Sequence, residues 1–289
     1  MMKKLLLVLS MFCSASFAEP ITLVATSTPG GNIDLFTRAI AKELTDNGYE
    51  TAVINQSGAN GDIAYNQVMS KQNSIMVGAL HNMVLSHVIS NRENFHVKNM
   101  KIIAPTMEPP FAFVTGTKGF SSMAEMIQYA KNNPLPCGAP SATGVELIRI
   151  NHEYDTKFEP VPYRGMSQIK MDLLNNSLKC AFDGMGGYLQ EHESKTIKIL
   201  ASTKSFVKDV PTIKETLRIY KYENWYGIGI PNDSKLLQDT KMMNILTNIT
   251  KNDRIIEFAA NHTLSVATPE LDINNHIQQL TLRYKNLLK

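Results

Sequence analysis

Residues 21–34 read ITLVATSTPGGNID, and this stretch decides the fold class. The β-rich residues Ile21–Ala25 predict a strand, which Pro29-Gly30-Gly31 ends as a turn. After the glycines, apolar residues recur at three- and four-residue spacing, which predicts a helix that stops at Gly48. A strand, a glycine turn and an amphipathic helix in this order begin a β-α-β unit. The apolar helix positions are Ile33, Phe36, Ile40, Ala41 and Leu44.

The same alternation of strand and helix continues along the chain. Thr51–Ile54 predicts a second strand, Ile63–Ser70 a helix and Ser74–Gly78 a third strand, which gives the order β-α-β-α-β. A second series of the same kind runs from Phe111 to Ser202, and Trp225–Pro231 predicts a return crossing. We therefore predict an α/β protein with two domains, mainly parallel sheets and a cleft between them.

The two crossings set the predicted domain boundaries. Residues 19–112 and 226–289 form a discontinuous α/β domain 1, and residues 113–225 form an α/β domain 2. Trp225 and Tyr226 lie where the chain returns, and we expect them to pack at the domain edge.

The N-terminus predicts export. Lys3 and Lys4 form a basic region, an apolar run follows to Phe17, and small residues at Ser16 and Ala18 suit a cut after Ala18. The apolar run is shorter than the roughly 20 residues of a membrane span, although a buried helix or an anchor is the alternative. Residues 1–18 are therefore predicted to be a cleaved signal peptide, and the mature protein to be periplasmic.

Charge gives no sign of a nucleic-acid partner. The 289 residues include 29 Lys and Arg and 26 Asp and Glu, for a net charge of +3. Removing Lys3 and Lys4 with the leader lowers that charge by two, to +1. A nucleic-acid binder would usually show a clustered basic face, so this class is excluded.

Three strand-to-helix loops are the candidate ligand-binding elements. They are residues 27–32 (STPGGN), 55–62 (NQSGANGD) and 139–144 (APSATG). In open α/β sheets, ligands bind outside the carboxyl ends of the strands, where helix N-termini offer free N–H groups to an anion. Neither of the first two loops matches the dinucleotide fingerprint or the P-loop, so no nucleotide cofactor is predicted.

Catalytic and metal-binding patterns are absent from the sequence. The seven histidines include no His-Glu-x-x-His spacing, and there is no Gly-x-Ser-x-Gly or Cys-x-x-Cys. We therefore predict no catalysis, no metal and no cofactor. Two alternatives stay open, namely an exported α/β enzyme and a sensory protein that presents its ligand to a membrane kinase.

The chain resembles the periplasmic solute-binding receptors of tripartite tricarboxylate transporters, the Bug-type receptors. The resemblance follows the family's order through the mature chain and rests on short segments. It implies a periplasmic-binding-protein-like (Venus flytrap) fold, a monomer, a small carboxylate or amino acid as ligand, and membrane permease subunits as partners. The segments are PGGNID at 29–34, NQSGANG at 55–61, VPYRG at 161–165, AFD at 181–183 and WYG at 225–227.

The resemblance also implies roles for individual residues of the cleft. Asp34 would cap and orient the first loop, Thr143 would face the ligand with its N–H and hydroxyl, and Asp183 would meet a ligand amine or a structural partner. The full predicted ligand-binding set is Pro29, Gly30, Gly31, Asp34, Ser57, Ala59, Asn60, Ser141, Thr143 and Asp183.

One departure from the family pattern bears on the ligand. Glu146 stands where the family commonly has histidine. An extra carboxylate near the cleft would repel a second ligand carboxylate unless a cation sits beside it. This predicts a ligand with fewer negative charges than citrate, either an amino acid or a monocarboxylate.

Two cysteines remain after the leader is removed. Cys137 and Cys180 fall on strands that would be neighbours in the second-domain sheet. They could form a disulfide in an oxidising compartment, or they could be two buried free thiols.

Overall fold

The structure, a computed structural model, describes residues 19–90, 98–140, 142–163, 165–218, 224–267 and 272–288. The predicted signal peptide (residues 1–18) and Ser141 therefore lie outside the described residues.

Eleven strands and eleven α-helices alternate through this part of the chain. The strands are β1 (Ile21–Ala25), β2 (Thr51–Asn55), β3 (Ser74–Ala79), β4 (Met100–Glu108), β5 (Phe111–Gly116), β6 (Leu135–Gly138), β7 (Phe158–Val161), β8 (Cys180–Gly184), β9 (Ile197–Ser202), β10 (Tyr226–Pro231) and β11 (Ser265–Val266). The helices are α1 (Asn32–Asp46), α2 (Asp62–Met69), α3 (Leu80–Ser90), α4 (Met123–Asn132), α5 (Ala142–Tyr154), α6 (Met166–Leu174), α7 (Leu189–Glu193), α8 (Ile213–Thr216), α9 (Thr240–Thr247), α10 (Asp253–Asn261) and α11 (Ile273–Leu287).

Two separate sheets confirm the predicted α/β class. The first has six strands in the order β11-β4-β10-β3-β1-β2, and the second has five in the order β7-β6-β8-β5-β9. The predicted boundary between residues 112 and 113 falls inside β5, since Phe111 and Ala112 already pair with β8.

Both sheets are mixed rather than mainly parallel. β1 is parallel to β2 and β3, and β6 is parallel to β7 and β8. β5 and β10 run antiparallel to their neighbours on both sides. Each of these two strands begins where the chain has just crossed between the domains, whereas β1, β3, β6 and β8 lead towards that boundary. The two crossings therefore explain why β5 and β10 run antiparallel to the strands beside them.

Each domain has its own apolar core. In domain 1, α1 buries Phe36, Ile40 and Leu44 against the sheet. In domain 2, the rings of Phe113 and Phe182 pack with centroids 4.7 Å apart. Trp225 is buried against His276 of α11, with ring centroids 4.0 Å apart, as its predicted packing role requires.

A third connection joins the domains besides the two crossings. Apolar side chains of α3 and α11 from domain 1 pack with the start of α5 from domain 2. This contact covers one side of the boundary between the domains with apolar surface. The buried residues are Val84, Leu85, Ala142, Val145, Leu280 and Tyr284. Among the described helices, none combines the length and the apolar composition that a bilayer span requires.

The two cysteines are neighbours, as predicted. Cys137 on β6 lies directly opposite Cys180 on β8, and both are buried free thiols, so the disulfide is not formed in the structure. The Cys180 Sγ lies 3.8 Å from the Pro136 carbonyl oxygen, to which it donates. Burial, with the neighbouring thiol, raises the pKa of Cys137 well above its usual value, which leaves little of the reactive thiolate.

We expect both thiols to stay reduced in the exported protein. Thiol titration of denatured mature protein, purified without reductant, should therefore give two thiols per chain. A parallel sample treated with reductant should give the same value. A rise from zero to two thiols on reduction would contradict the structure.

The contact of α3 and α11 with α5 should contribute measurably to the free energy of unfolding of the whole chain. Leu280 is 2% exposed within that contact. Truncating it in Leu280→Ala should lower the free energy of unfolding by about 2–5 kcal/mol in urea denaturation, because a cavity is left. Leu282→Ala removes the same atoms from a side chain that is 51% exposed on the same helix, and it should change little. Equal losses for the two variants would show that the contact contributes nothing.

Candidate functional site

A cavity of about 430 Å³ lies between the domains. Its walls come from the β1–α1 loop and Tyr226 of domain 1, from the crossing at 109–111, and from the loops that follow β6 and β8 in domain 2. A second cavity of about 580 Å³ lies beside Gly116 and Ile197, at the end of domain 2 away from the crossings. The first cavity alone has walls from both domains, and it is the candidate site.

A buried carboxylate holds the β1–α1 loop in shape. Asp34 is 2% exposed, and its Oδ2 accepts a 2.8 Å hydrogen bond from the backbone N–H of Gly30. Gly30 has φ of +80°, a left-handed conformation that glycine adopts without strain. Asn55 Nδ2 donates to Asp34 Oδ1 at 2.9 Å, and Arg38 forms an ion pair with the same carboxylate. The predicted role of Asp34 in orienting this loop agrees with these bonds.

The hydrogen bonds also set the protonation of Asp34. Burial alone would raise the pKa of the carboxyl, but the bonds from Gly30, Asn55 and Arg38 outweigh it and lower the pKa below its usual value. Asp34 is therefore a permanent acceptor at neutral pH.

The loop presents the N-terminus of α1 to the cavity. Gly31 is the N-cap residue and makes no side-chain cap, so the first N–H groups of α1 are left for another acceptor. Asn32 and Ile33 line the cavity at this helix end. Ser27 also lines it, and its hydroxyl oxygen is buried with no hydrogen-bond partner among the described residues. Together these groups form a site suited to an anion.

The β6–α5 loop uses its donors internally. Thr143 lines the cavity, but its hydroxyl donates to the Pro140 carbonyl at 2.6 Å and its N–H donates to the same oxygen at 3.1 Å. The expectation that both groups face the ligand is therefore wrong in this structure. Thr143 closes a turn at the start of α5, and this turn forms part of the cavity wall.

Asp183 is the acidic residue of the cavity wall. It is the penultimate residue of β8, is 7% exposed, and accepts hydrogen bonds from the Gly184 N–H at 2.7 Å and the Tyr188 hydroxyl at 3.0 Å. Burial raises the pKa of Asp183 to about 6, although both hydrogen bonds oppose the rise. Burial of Tyr188 and the charge of the same carboxylate raise the pKa of Tyr188 well above the usual tyrosine value.

Glu146 does not act on the cavity as the sequence suggested. It is buried on α5 and forms an ion pair with Arg149, which also binds Glu153 at 2.8 Å. A cation thus sits beside Glu146, and Glu146 is not among the residues that line the cavity.

The structure brings four predicted site residues to the cavity wall, namely Gly30, Gly31, Thr143 and Asp183. The predicted ligand-binding loop at residues 55–62 does not reach it, because this loop follows β2, the edge strand of the first sheet. Asp34 supports the loop from behind. The described residues of the prediction that lie outside the wall are Pro29, Asp34, Ser57, Ala59 and Asn60.

Sequence reasoning missed much of the wall. One available signal was the glycine-rich segment Gly184-Met185-Gly186-Gly187 after β8, which brings backbone close to domain 1. A Cβ atom at Gly186 would lie 3.6 Å from Asn32 Nδ2. We expected Tyr226 only to pack at the domain edge. It is buried in the core of domain 1 and also lines the cavity. Other lining residues without a sequence signal are Asn82, Pro109, Met166 and Asn224.

Comparison with known proteins places the chain in a family. The model of the tripartite tricarboxylate transporter family receptor, TctC, matches residues 36–289. The chain belongs to this family. Its members are periplasmic solute-binding receptors, so the predicted family, fold class and non-catalytic nature are confirmed.

Individual relatives are distant in sequence. A UPF0065 protein of Bordetella bronchiseptica is 23% identical over 213 residues, or 69% of this chain. The match spans 64% of that relative, which is less than two thirds of its length. A UPF0065 protein of Agrobacterium vitis is 22% identical over 267 residues, with 86% of this chain and 77% of the relative covered.

Solved structures agree on the fold. R. palustris Rpa4515 with adipate superposes with a TM-score of 0.76 at 21% identity, covering 93% of this chain and 95% of the other. MatC of Rhodopseudomonas palustris with bound malate gives 0.74 at 16% identity, covering 93% and 99%. The periplasmic binding protein BugD gives 0.71 at 18% identity, covering 93% and 96%.

The anchoring of the β1–α1 loop can be tested by removing its charge. Asp34→Asn keeps the size of the side chain but cannot accept all the same bonds, so the free energy of unfolding should fall by about 1–3 kcal/mol at pH 7. Because the folded pKa of Asp34 is lowered, its stabilising effect is present above the ordinary carboxyl pKa of about 4 and is lost as the pH falls through the folded value. The difference between wild type and variant should therefore shrink in acid.

Asp46→Asn is the control, since Asp46 is a carboxylate on the same helix whose ion pairs with Lys42 and Arg254 are largely exposed. It should change the unfolding curve far less. Urea denaturation at several pH values checks both variants. A pH-independent loss for Asp34→Asn would contradict the assigned ionisation.

Proposed function

We propose that this receptor captures a small carboxylate-bearing ligand in the interdomain cavity and delivers it to the permease subunits of a tripartite tricarboxylate-type transporter. The observation that carries the proposal is the N-terminus of α1 in the cavity wall, beside the Ser27 hydroxyl that lacks a partner among the described residues. Free N–H groups at a helix end that is already fixed in the wall can bind a carboxylate with little ordering cost.

The surrounding bonds support this assignment. Asp34 occupies the Gly30 N–H and fixes the loop, so it does not compete for the first N–H groups of the helix. A carboxylate is the group that best fits several N–H donors and a hydroxyl at one helix end. Two solved relatives of the same fold are named with the carboxylates adipate and malate.

Delivery requires that the permease distinguish the loaded receptor from the empty one. The cavity has walls from both domains, so a ligand that touches both favours the closed arrangement over any open one. Family membership makes a tripartite tricarboxylate-type transporter the expected partner. We propose that export with cleavage after Ala18 places the mature receptor in the periplasm, as a monomer.

Binding should be tested on protein purified without refolding. Native mass spectrometry reveals a ligand that co-purifies, and calorimetry with small mono- and dicarboxylates and amino acids measures affinity. Ser27→Ala should weaken the binding of whichever carboxylate binds by about three- to tenfold, because one hydrogen bond is lost.

Ser74→Ala provides a matched control. Ser74 also has a buried hydroxyl oxygen without a partner among the described residues, but it begins β3, at the strand end away from the cavity. Its replacement should leave affinity unchanged. If no carboxylate binds, or if both serine variants bind alike, the proposed carboxylate site is wrong.

A further inference from the structure

We infer that the second cavity, of about 580 Å³ at the far end of domain 2, is a binding site for a small organic anion that carries a carboxylate or phosphate group on an apolar body. The inference does not depend on the proposed function, because every residue that lines this cavity belongs to domain 2 and none of them lines the interdomain cavity.

The second cavity lies at the open end of the β5–β9 strand pair. Gly116 ends β5 and lies opposite Ile197, the first residue of β9, and both line the cavity. Phe111, at the other end of β5, lines the interdomain cavity instead. Five residue steps of a strand, about 17 Å, therefore separate the two cavities, so a small ligand in one does not touch a ligand in the other.

The charge of the wall is the first argument for an anion. Three of its nine residues have basic side chains, namely His192, Lys195 and Lys198, and none has a carboxyl group. The two segments that form the wall, residues 116–121 and 192–198, are described throughout. A negative group of a ligand thus meets donors and positive charge without a competing carboxylate in the wall.

Lys198 links the two sides of the cavity. Its Nζ donates to the Ser121 carbonyl oxygen at 2.5 Å, which ties β9 to the loop after β5. Glu125 accepts hydrogen bonds from the Ser121 N–H and hydroxyl, and these bonds, with the charge of Lys198, lower the pKa of Glu125. Lys198 is therefore held in place at the wall, with its charge offset in part from one side.

Lys195 has the charge that is most available to a ligand. It is exposed, and it forms no ion pair with any described residue. Its φ of +60° is the left-handed conformation that ends α7, and its N–H donates to the His192 carbonyl oxygen at 3.1 Å. Glycine adopts this conformation without strain and is the common residue at such a helix end. The backbone thus favours glycine at position 195, and a ligand for the charge would account for the lysine.

His192 adds a hydrogen-bond donor to the wall. Its Nδ1 accepts the Ile199 N–H at 3.1 Å, so this nitrogen carries no proton and the ring proton is on Nε2. As a residue of the wall, His192 therefore offers an N–H group rather than an acceptor.

The apolar part of the wall and the volume argue against a bare inorganic ion. Ile197 is fully buried and Phe120 is 9% exposed, and both line the cavity. Pockets of roughly 300–1,000 Å³ are the size that holds a small organic molecule. An inorganic ion would fill little of this volume and would leave the apolar residues uncovered, so an anion with an apolar body fits better.

Calorimetry with four probes tests the inference on the exported chain. Phenyl phosphate and benzoate carry an anionic group on an apolar ring, inorganic phosphate lacks the ring, and benzyl alcohol lacks the charge. At least one of the two ring anions should bind about tenfold or more tightly than inorganic phosphate and benzyl alcohol, and their comparison shows which acidic group is preferred. Added salt should weaken this binding, because the lysines of the wall are exposed.

Lys195→Gly is the decisive variant. It removes a charge from the wall and places at position 195 the residue that the left-handed backbone favours, so the melting temperature should stay the same or rise. Affinity for the ring anion should fall by about five- to twentyfold, because a charged partner is lost. A loss of affinity without a loss of stability separates a binding role from a structural one.

Lys157→Gln is the matched control. Lys157 is an exposed lysine directly before β7, at the opposite edge of the same sheet, four strand spacings or about 19 Å from β9. Its replacement should leave the affinity unchanged. Ser27→Ala identifies any binding of the same probes in the interdomain cavity, which Ser27 lines.

Three results would overturn the inference. The first is that neither ring anion shows binding that Lys195→Gly weakens. The second is that benzyl alcohol binds as tightly as the anions, which would mean that the cavity does not select charge. The third is an equal loss in Lys195→Gly and Lys157→Gln. Each of these leaves the proposed function standing, since Ser27→Ala and Ser74→Ala test that separately.

Discussion

The two crossings of the chain between its domains are the constraint from which the rest of the structure follows. The first is Pro109-Pro110 between β4 and β5, and the second leads through Asn224 and Trp225 into β10. Because the chain enters each sheet from the boundary, β5 and β10 must run against their neighbours, while β1, β3, β6 and β8 end at that boundary. The loops after β1, β6 and β8 therefore converge on one cavity.

Local sequence predicted the parts of this arrangement that depend on local chemistry. The turn at Gly30 and Gly31, the helix that follows it, and the pairing of the strands that carry Cys137 and Cys180 all agree with the structure. The order of the strands in each sheet could not be predicted from the sequence, because it depends on contacts between residues that are distant in sequence. The loop at Ser57 looked as suitable as the loop at Gly30, and only its attachment to an edge strand removes it from the wall.

The partners that polar side chains bind could not be predicted from the sequence either. Thr143 and Glu146 are polar residues near the start of α5, and either could have faced a ligand. Thr143 instead gives both donors to Pro140, and Glu146 pairs with Arg149. Among the described residues, the donors to Asp183 are both neutral, the Gly184 N–H and the Tyr188 hydroxyl. Hydrogen-bond and ion-pair partners, rather than residue types, thus decide which polar groups of these residues remain for the cavity.

The contact of α11 with α3 and α5 has a consequence for how the protein acquires its shape. α11 follows every strand of both sheets in the chain, so the ribosome releases it after them. Until then, the domains lack the apolar packing that α11 provides between them. The order of synthesis therefore places this packing of the two lobes against each other after the strands of both lobes have been made.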